Sequence, residues 1–302
     1  MFLPFIYADL FDYTFFPYAY DRGYWGYVYD DFFDSMFWAY GGPYSDPGFV
    51  APLPRGGRPT RVTPQTRAAI AQACTPEKGL TAWPFQRIES AVNPTADQLK
   101  LLDTLRTAAS DAADAFKASC RTDFASTPPG RVSAMISRIE ATLEALRIVR
   151  PPLEAFYNSL NDEQKERFNQ IGPDIGRSDE KAARSRGTPD QELQSCKEAG
   201  TGLAAVPIDR IEDAVQPTEA QRAAFQKLSD ASQNAVETLQ AACPDAIPLT
   251  PTGRLEAMQT RLEAMLDAAE IVQPALEEFY AMLNNEQKAR FNSLGRNVRQ
   301  TN

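Results

Sequence analysis

The chain has 302 residues, a formal net charge of −9, a pI near 4.8, four cysteines and no histidine. The length allows two or three domains. The acidic balance argues against a general nucleic-acid binder, which needs a basic face. The missing histidine excludes Ser-His and Cys-His nucleophiles.

Residues 1–50 hold 20 of the 31 aromatic side chains, together with seven Asp, one Arg and no Lys or Glu. No period of 2 or 3.6 persists there, so the segment reads as a disordered aromatic-rich tail. A functional alternative is an anchor whose Trp and Tyr rest on an envelope or partner surface. The first residues, MFLPFIYADLFDY, lack a basic stretch and contain Asp9 and Asp12, which makes a poor signal peptide. If the protein is exported, its targeting segment is expected upstream of Met1. No segment reaches the roughly 18–20 uninterrupted apolar residues of a membrane span. Residues 45–62 are rich in Pro and Gly and read as a linker.

From there the chain repeats itself. Pro84–Gly172 aligns without a gap to Pro207–Gly295 at a constant offset of 123 (207 − 84 = 295 − 172), with 41 of 89 positions identical. The predicted organisation is an aromatic, Asp-rich segment and linker over 1–61, a helical module over 62–172, a charged linker over 173–187 and a second helical module over 188–297. The fold class is all-α: two tandem modules, each a long helical hairpin with short flanking helices.

Within each module the period is helical. Short helices are expected over 63–74 and 188–196, and at PFQRIESAV and PIDRIEDAV. A long helix starts near Thr95 or Thr218 and runs toward Cys120 or Cys243. Its apolar stripe is Leu102, Leu105, Ala109, Ala112, Phe116 and Ser119 in the first copy. In the second it is Phe225, Leu228, Ala231, Ala235, Leu239 and Ala242. TPPG (127–130) or TPTG (250–253) is expected to reverse the chain. A second long helix carries Val132, Met135, Ile139, Leu143 and Leu146, or Leu255, Met258, Leu262, Leu266 and Ala269. Pro151 and Pro274 are expected to interrupt or kink it.

The cysteines follow the repeat: Cys120 and Cys243 differ by 123, Cys74 and Cys196 by 122. Disulfides Cys74–Cys120 and Cys196–Cys243 are the preferred reading and imply an oxidising compartment. Each would stabilise its module by about 3–4 kcal/mol. Four buried free thiols, or a zinc site of four thiolates, are the alternatives.

One pattern occurs four times: Thr95 to Gln98, Asn161 to Gln164, Thr218 to Gln221 and Asn284 to Gln287. Each is a capping box, in which the first side chain accepts from the N–H three residues on and the Gln reaches back to the cap's own N–H. Two copies continue as K-x-R-F-N, either a basic recognition site or a helix surface flanking buried Phe168 and Phe291.

With these motifs the chain resembles the Spy/CpxP family, defined by an LTxxQ motif. Leu160–Gln164 (LNDEQ) and Leu283–Gln287 (LNNEQ) match with Asn for Thr, while Pro94 and Pro217 replace the leading Leu of the other two copies. The resemblance implies an all-helical periplasmic protein of envelope stress that holds partly unfolded clients without ATP. It also implies a homodimeric cradle, which two modules in one chain could replace, leaving a monomer that mimics a dimer. Zinc-binding relatives use histidines, absent here, so no metal, cofactor or catalytic residue is assigned, and the chain reads as a binding protein rather than an enzyme.

Clients would meet a Met-containing face, Met135, Met258, Met265 and Met282, because thioethers adapt to varied shapes. The plainer reading places these methionines in the core. A structural, scaffolding or regulatory envelope protein, associated with the envelope through residues 1–50, is the alternative function.

Overall fold

The computed structural model describes residues 85–119, 127–169, 208–246 and 250–292. The aromatic segment, the helices expected over 63–74 and 188–196, the linker 173–187, Cys74, Cys120 and Cys196 lie outside the described residues. Within them are eight α-helices and no strand. The first module comprises α1 (Phe85–Val92), α2 (Ala96–Ser119), α3 (Pro128–Ser159) and α4 (Asp162–Asn169). The second comprises α5 (Ile208–Val215), α6 (Glu219–Ala241), α7 (Pro251–Met282) and α8 (Asn285–Asn292).

In each module the two long helices pack as a hairpin, α2 on α3 and α6 on α7. The two short ones pack on each other at one end, α1 on α4 and α5 on α8. The stripe on α2 forms as its spacing requires, with Leu102, Leu105, Ala109, Ala112 and Phe116 all buried. On α6 the buried set is Phe225, Leu228, Ser232, Ala235, Val236 and Leu239, so the stripe shifts by one residue at Ala231. Ser232 enters this apolar face because its hydroxyl donates to the Leu228 carbonyl at 2.7 Å.

The modules join through α3 and α7, which also pack on each other. The long helices therefore follow the order α2, α3, α7, α6. Arg150, near the end of α3, bonds Glu256 and Gln259 near the start of α7, and Gln273, late in α7, bonds Ser133 early in α3. The two helices run antiparallel. Both pairs sum to the same value (150 + 256 = 133 + 273), and the repeat offset converts one pair of positions into the other. The seam therefore has an approximate two-fold axis, as a C2 dimer has. Its register sets Ala141 and Ala145 level with Ala264 and Ala268, and all four are buried.

Two expectations are corrected. TPPG and TPTG start helices rather than forming free turns. Thr127 and Thr250 are the N-caps, accepting from the Gly130 and Gly253 N–H at 3.2 and 3.1 Å, and the prolines fill the first turn, where an N–H has no partner to lose. The prolines deeper in the chain do not end the long helices. α3 runs unbroken through Pro151 and Pro152, and α7 through Pro274. Buried Val149, Leu153 and Phe156 flank the first site, and Val272, Leu276 and Phe279 the second. This packing outweighs the ~3 kcal/mol that a mid-helix proline costs.

Asn93 and Gln216 leave α1 and α5 at φ 49° and 51°, the left-handed conformation, with their N–H groups donating to Glu89 and Glu212. Asn tolerates this region better than Gln. Gln216→Asn, which copies module 1 into module 2, is expected to stabilise the chain by about 0.5 kcal/mol. Urea unfolding should show it as a raised midpoint at unchanged slope.

Candidate functional site

The four motif glutamines do more than cap. In module 1 Gln98 and Gln164 face each other, each donating from Nε2 to the other's Oε1 at 2.9 Å. The Gln98 Oε1 also accepts from the Thr95 N–H at 2.9 Å, and its Nε2 also donates to the Ser159 carbonyl at 2.8 Å. The Gln164 Oε1 also accepts from the Asn161 N–H at 3.0 Å, and its Nε2 donates to the Val92 carbonyl at 3.3 Å. Each amide thus fills two donors and two acceptors, its full capacity.

The four external partners are four helix ends: the starts of α2 and α4 and the ends of α1 and α3. One pair of amides therefore ties all four helices of the module at one point. Both are buried, at 8% and 5% exposure. A carboxylate in either place could accept but not donate, and a shorter amide would not span the gap.

Module 2 repeats the arrangement. Gln221 and Gln287 exchange bonds at 3.0 and 2.8 Å. Gln221 accepts from the Thr218 N–H and donates to the Met282 carbonyl. Gln287 accepts from the Asn284 N–H and reaches the Val215 and Gln216 carbonyls at 3.4 Å. Asn161 and Asn284 complete their boxes by accepting from the Gln164 and Gln287 N–H at 2.8 and 2.9 Å, and Thr95 does so more loosely at 3.4 Å. The motif leucines, Leu160 and Leu283, are buried beside these caps.

K-x-R-F-N is absorbed by the same corner. Phe168 is buried against Phe156 and Tyr157, with centroids at 5.9 and 5.7 Å. Lys165 sits over the Tyr157 ring at 5.7 Å, and the Tyr157 hydroxyl donates to Asn169. Phe291, Lys288, Tyr280 and Asn292 repeat these contacts. Arg167 pairs with Glu163. Arg290 pairs with Glu286 and additionally donates to the Ala214 and Val215 carbonyls, closing the end of α5. The reading of this motif as a helix surface flanking a buried Phe accounts for its side chains.

Three of the four methionines follow the plainer core reading and not the client face. Met135, Met258 and Met265 are 5%, 2% and 0% exposed and belong to the core. α3 and α7 each pack on a hairpin partner and on each other, so residues on more than one face of these helices are covered. Met282, at 44% exposure, is the single exposed large hydrophobic among the described residues.

Cys243 is disulfide-bonded, and its partner lies outside the described residues. Among the described residues no group of three His, Cys, Asp or Glu could hold a metal ion, and no helix is long and apolar enough to cross a membrane.

Sequence reasoning missed two features of this architecture. Arg131, Arg138, Arg254 and Arg261 are buried, each with an interaction partner, at two pairs of repeat-equivalent positions. Their signal was present as an arginine recurring seven residues on within RVSAMISR and RLEAMQTR. The second is Arg150, which holds Glu154, Glu256 and Gln259 together. The Glu154 hydrogen bond, with help from the charges of Glu154 and Glu256, raises the Arg150 pKa above its ordinary value despite partial burial.

A family model described as LTXXQ motif family protein matches the chain twice, over residues 80–172 and 203–295. No curated protein and no solved structure matches it.

Gln164→Leu is expected to cost about 3 kcal/mol, since it strands the buried Gln98 amide and the Val92 carbonyl. The double variant Gln98→Leu/Gln164→Leu is expected to cost clearly less than the two single losses added, because the second change removes an already stranded group. Denaturant titration of the four-protein cycle measures this.

Proposed function

The chain belongs to the LTXXQ motif family through both of its modules, and on that premise we propose that it is a Spy/CpxP-type periplasmic protein of envelope stress. In this reading it binds unfolded or exposed hydrophobic client segments without ATP, by surface contact and not by catalysis. The observation that carries the reading is the doubled motif match on modules whose motif glutamines form intact clamps. The disulfide at Cys243 supports an oxidising compartment.

Burial of Met135, Met258 and Met265 moves the client surface elsewhere. Candidates are Met282 and the half-buried Ile136, Ile148 and Leu266, which pack at the margin of the core. The two-fold seam supports a monomer in which the second module replaces a partner subunit.

One observation favours the scaffold reading as a second choice. With Met282 the only exposed large hydrophobic among the described residues, this surface suits docking to a folded partner as well as holding an unfolded one. In that reading residues 1–50 supply the envelope association.

At stoichiometric ratio and without ATP, the purified chain is expected to slow aggregation of a client unfolding under reducing or thermal stress. No suppression at several-fold excess would overturn the chaperone reading in favour of the scaffold. Sedimentation velocity is expected to give a single species of monomer mass at micromolar concentration. A stable dimer would contradict the internal replacement of a subunit.

A further inference from the structure

The bonds at the two ends of the α3–α7 seam differ. At one end Arg150 donates from Nη1 to Gln259 Oε1 at 3.0 Å and from Nη2 to Glu256 Oε1 at 2.9 Å, while its Nε holds Glu154 at 2.6 Å. At the other end Gln273 donates from Nε2 to Ser133 Oγ at 3.2 Å and to Glu277 Oε1 at 2.9 Å. The offset of 123 turns Arg150 into Gln273, Glu154 into Glu277, Ser133 into Glu256 and Ile136 into Gln259. The two ends are one site written with two sets of residues.

The residue sets decide which modules fit together. A seam between two copies of module 1 would face Arg150 with Ser133 and Ile136 at both ends, so each guanidinium would lose its carboxylate across the seam. A seam between two copies of module 2 would bring Glu277 and Glu256 together at both ends with no arginine between them. The mixed seam gives Glu256 its cation and spares Glu277 a facing carboxylate. The middle of the seam does not discriminate, because Ala141, Ala145 and Arg138 recur as Ala264, Ala268 and Arg261. Shared residues there supply affinity, and the ends supply choice.

We propose that the seam is heterospecific: the Arg150 end of module 1 is built for the Glu256 and Gln259 surface of module 2, and neither module keeps a self-complementary face. Two mixed seams differ from one seam of each like kind by twice the coupling between positions 150 and 256. With Arg150 partly buried and Glu256 exposed, that coupling is about two- to five-fold in equilibrium constant per end. This claim does not depend on what the chain binds.

The test uses the full chain, unfolded in urea and followed by helical circular dichroism. Arg150→Gln, Glu256→Ser and their combination form a cycle at residues that carry no core packing. The expected coupling is two- to five-fold and shrinks as salt is added. A transfer variant moves the charged set to the opposite end and leaves Ile136, which packs against the core, in place: Arg150→Gln and Ser133→Glu with Gln273→Arg and Glu256→Ser. It is expected to keep wild-type stability. The module 1 half of that transfer alone writes the module 2 residues at both ends, and is expected to be less stable than the full transfer. An additive cycle, or a half transfer as stable as the full one, overturns the proposal. If the half transfer does not fold, the cycle alone decides.

Discussion

A buried amide is tolerated when every donor and acceptor it carries is satisfied, and the fold of each module depends on two that are. Gln98 and Gln164 answer each other's hydrogen bonds and spend the remainder on four helix ends. In low dielectric such a closed network is strong when complete and costly when broken. The corner also carries Phe156, Phe168 and Tyr157, whose burial supplies apolar stabilisation of about 2 kcal/mol each. Hydrophobic burial thus holds the corner together, and the amides fix which helix ends meet there.

Placing the motif inward has a consequence for function. The motif glutamines and leucines are buried and build the module, while the cap residues Thr95, Asn161, Thr218 and Asn284 reach the solvent, so the buried part of the motif leaves the surface that meets a client or partner to other side chains. That surface must be drawn from side chains free to differ between the copies, such as Ser133 against Glu256, Arg150 against Gln273 and Ser159 against Met282. The two copies also differ inside their cores, as at Leu102 against Phe225, Phe116 against Leu239 and Thr142 against Met265.

The sequence made the helical architecture legible because its signals are local. Spacing of Leu102, Leu105 and Ala109 gives a stripe, and Thr-x-x-Gln gives a helix start. The helices at Phe85–Val92 and Ile208–Val215 stand where PFQRIESAV and PIDRIEDAV placed them. The misreadings share one cause, which is tertiary context. A proline reads as a break, but Pro151 and Pro274 lie where packing on both sides keeps the helix continuous through them. A methionine on a helix face reads as accessible until tertiary packing covers it, as happens to Met258 and Met265. The candidate site was half legible: each Gln was seen as a cap, yet no local rule shows that a partner 66 residues away completes its hydrogen bonds.

Side-chain hydrogen exchange reads the reciprocal amide pairs without any mutation. In a spectrum of the protein with nitrogen-15 labelling, the Nε2 protons of Gln98, Gln164, Gln221 and Gln287 should exchange with deuterated solvent far more slowly than those of exposed Gln226 and Gln233. Exchange of all four at the rate of the exposed amides would contradict the account.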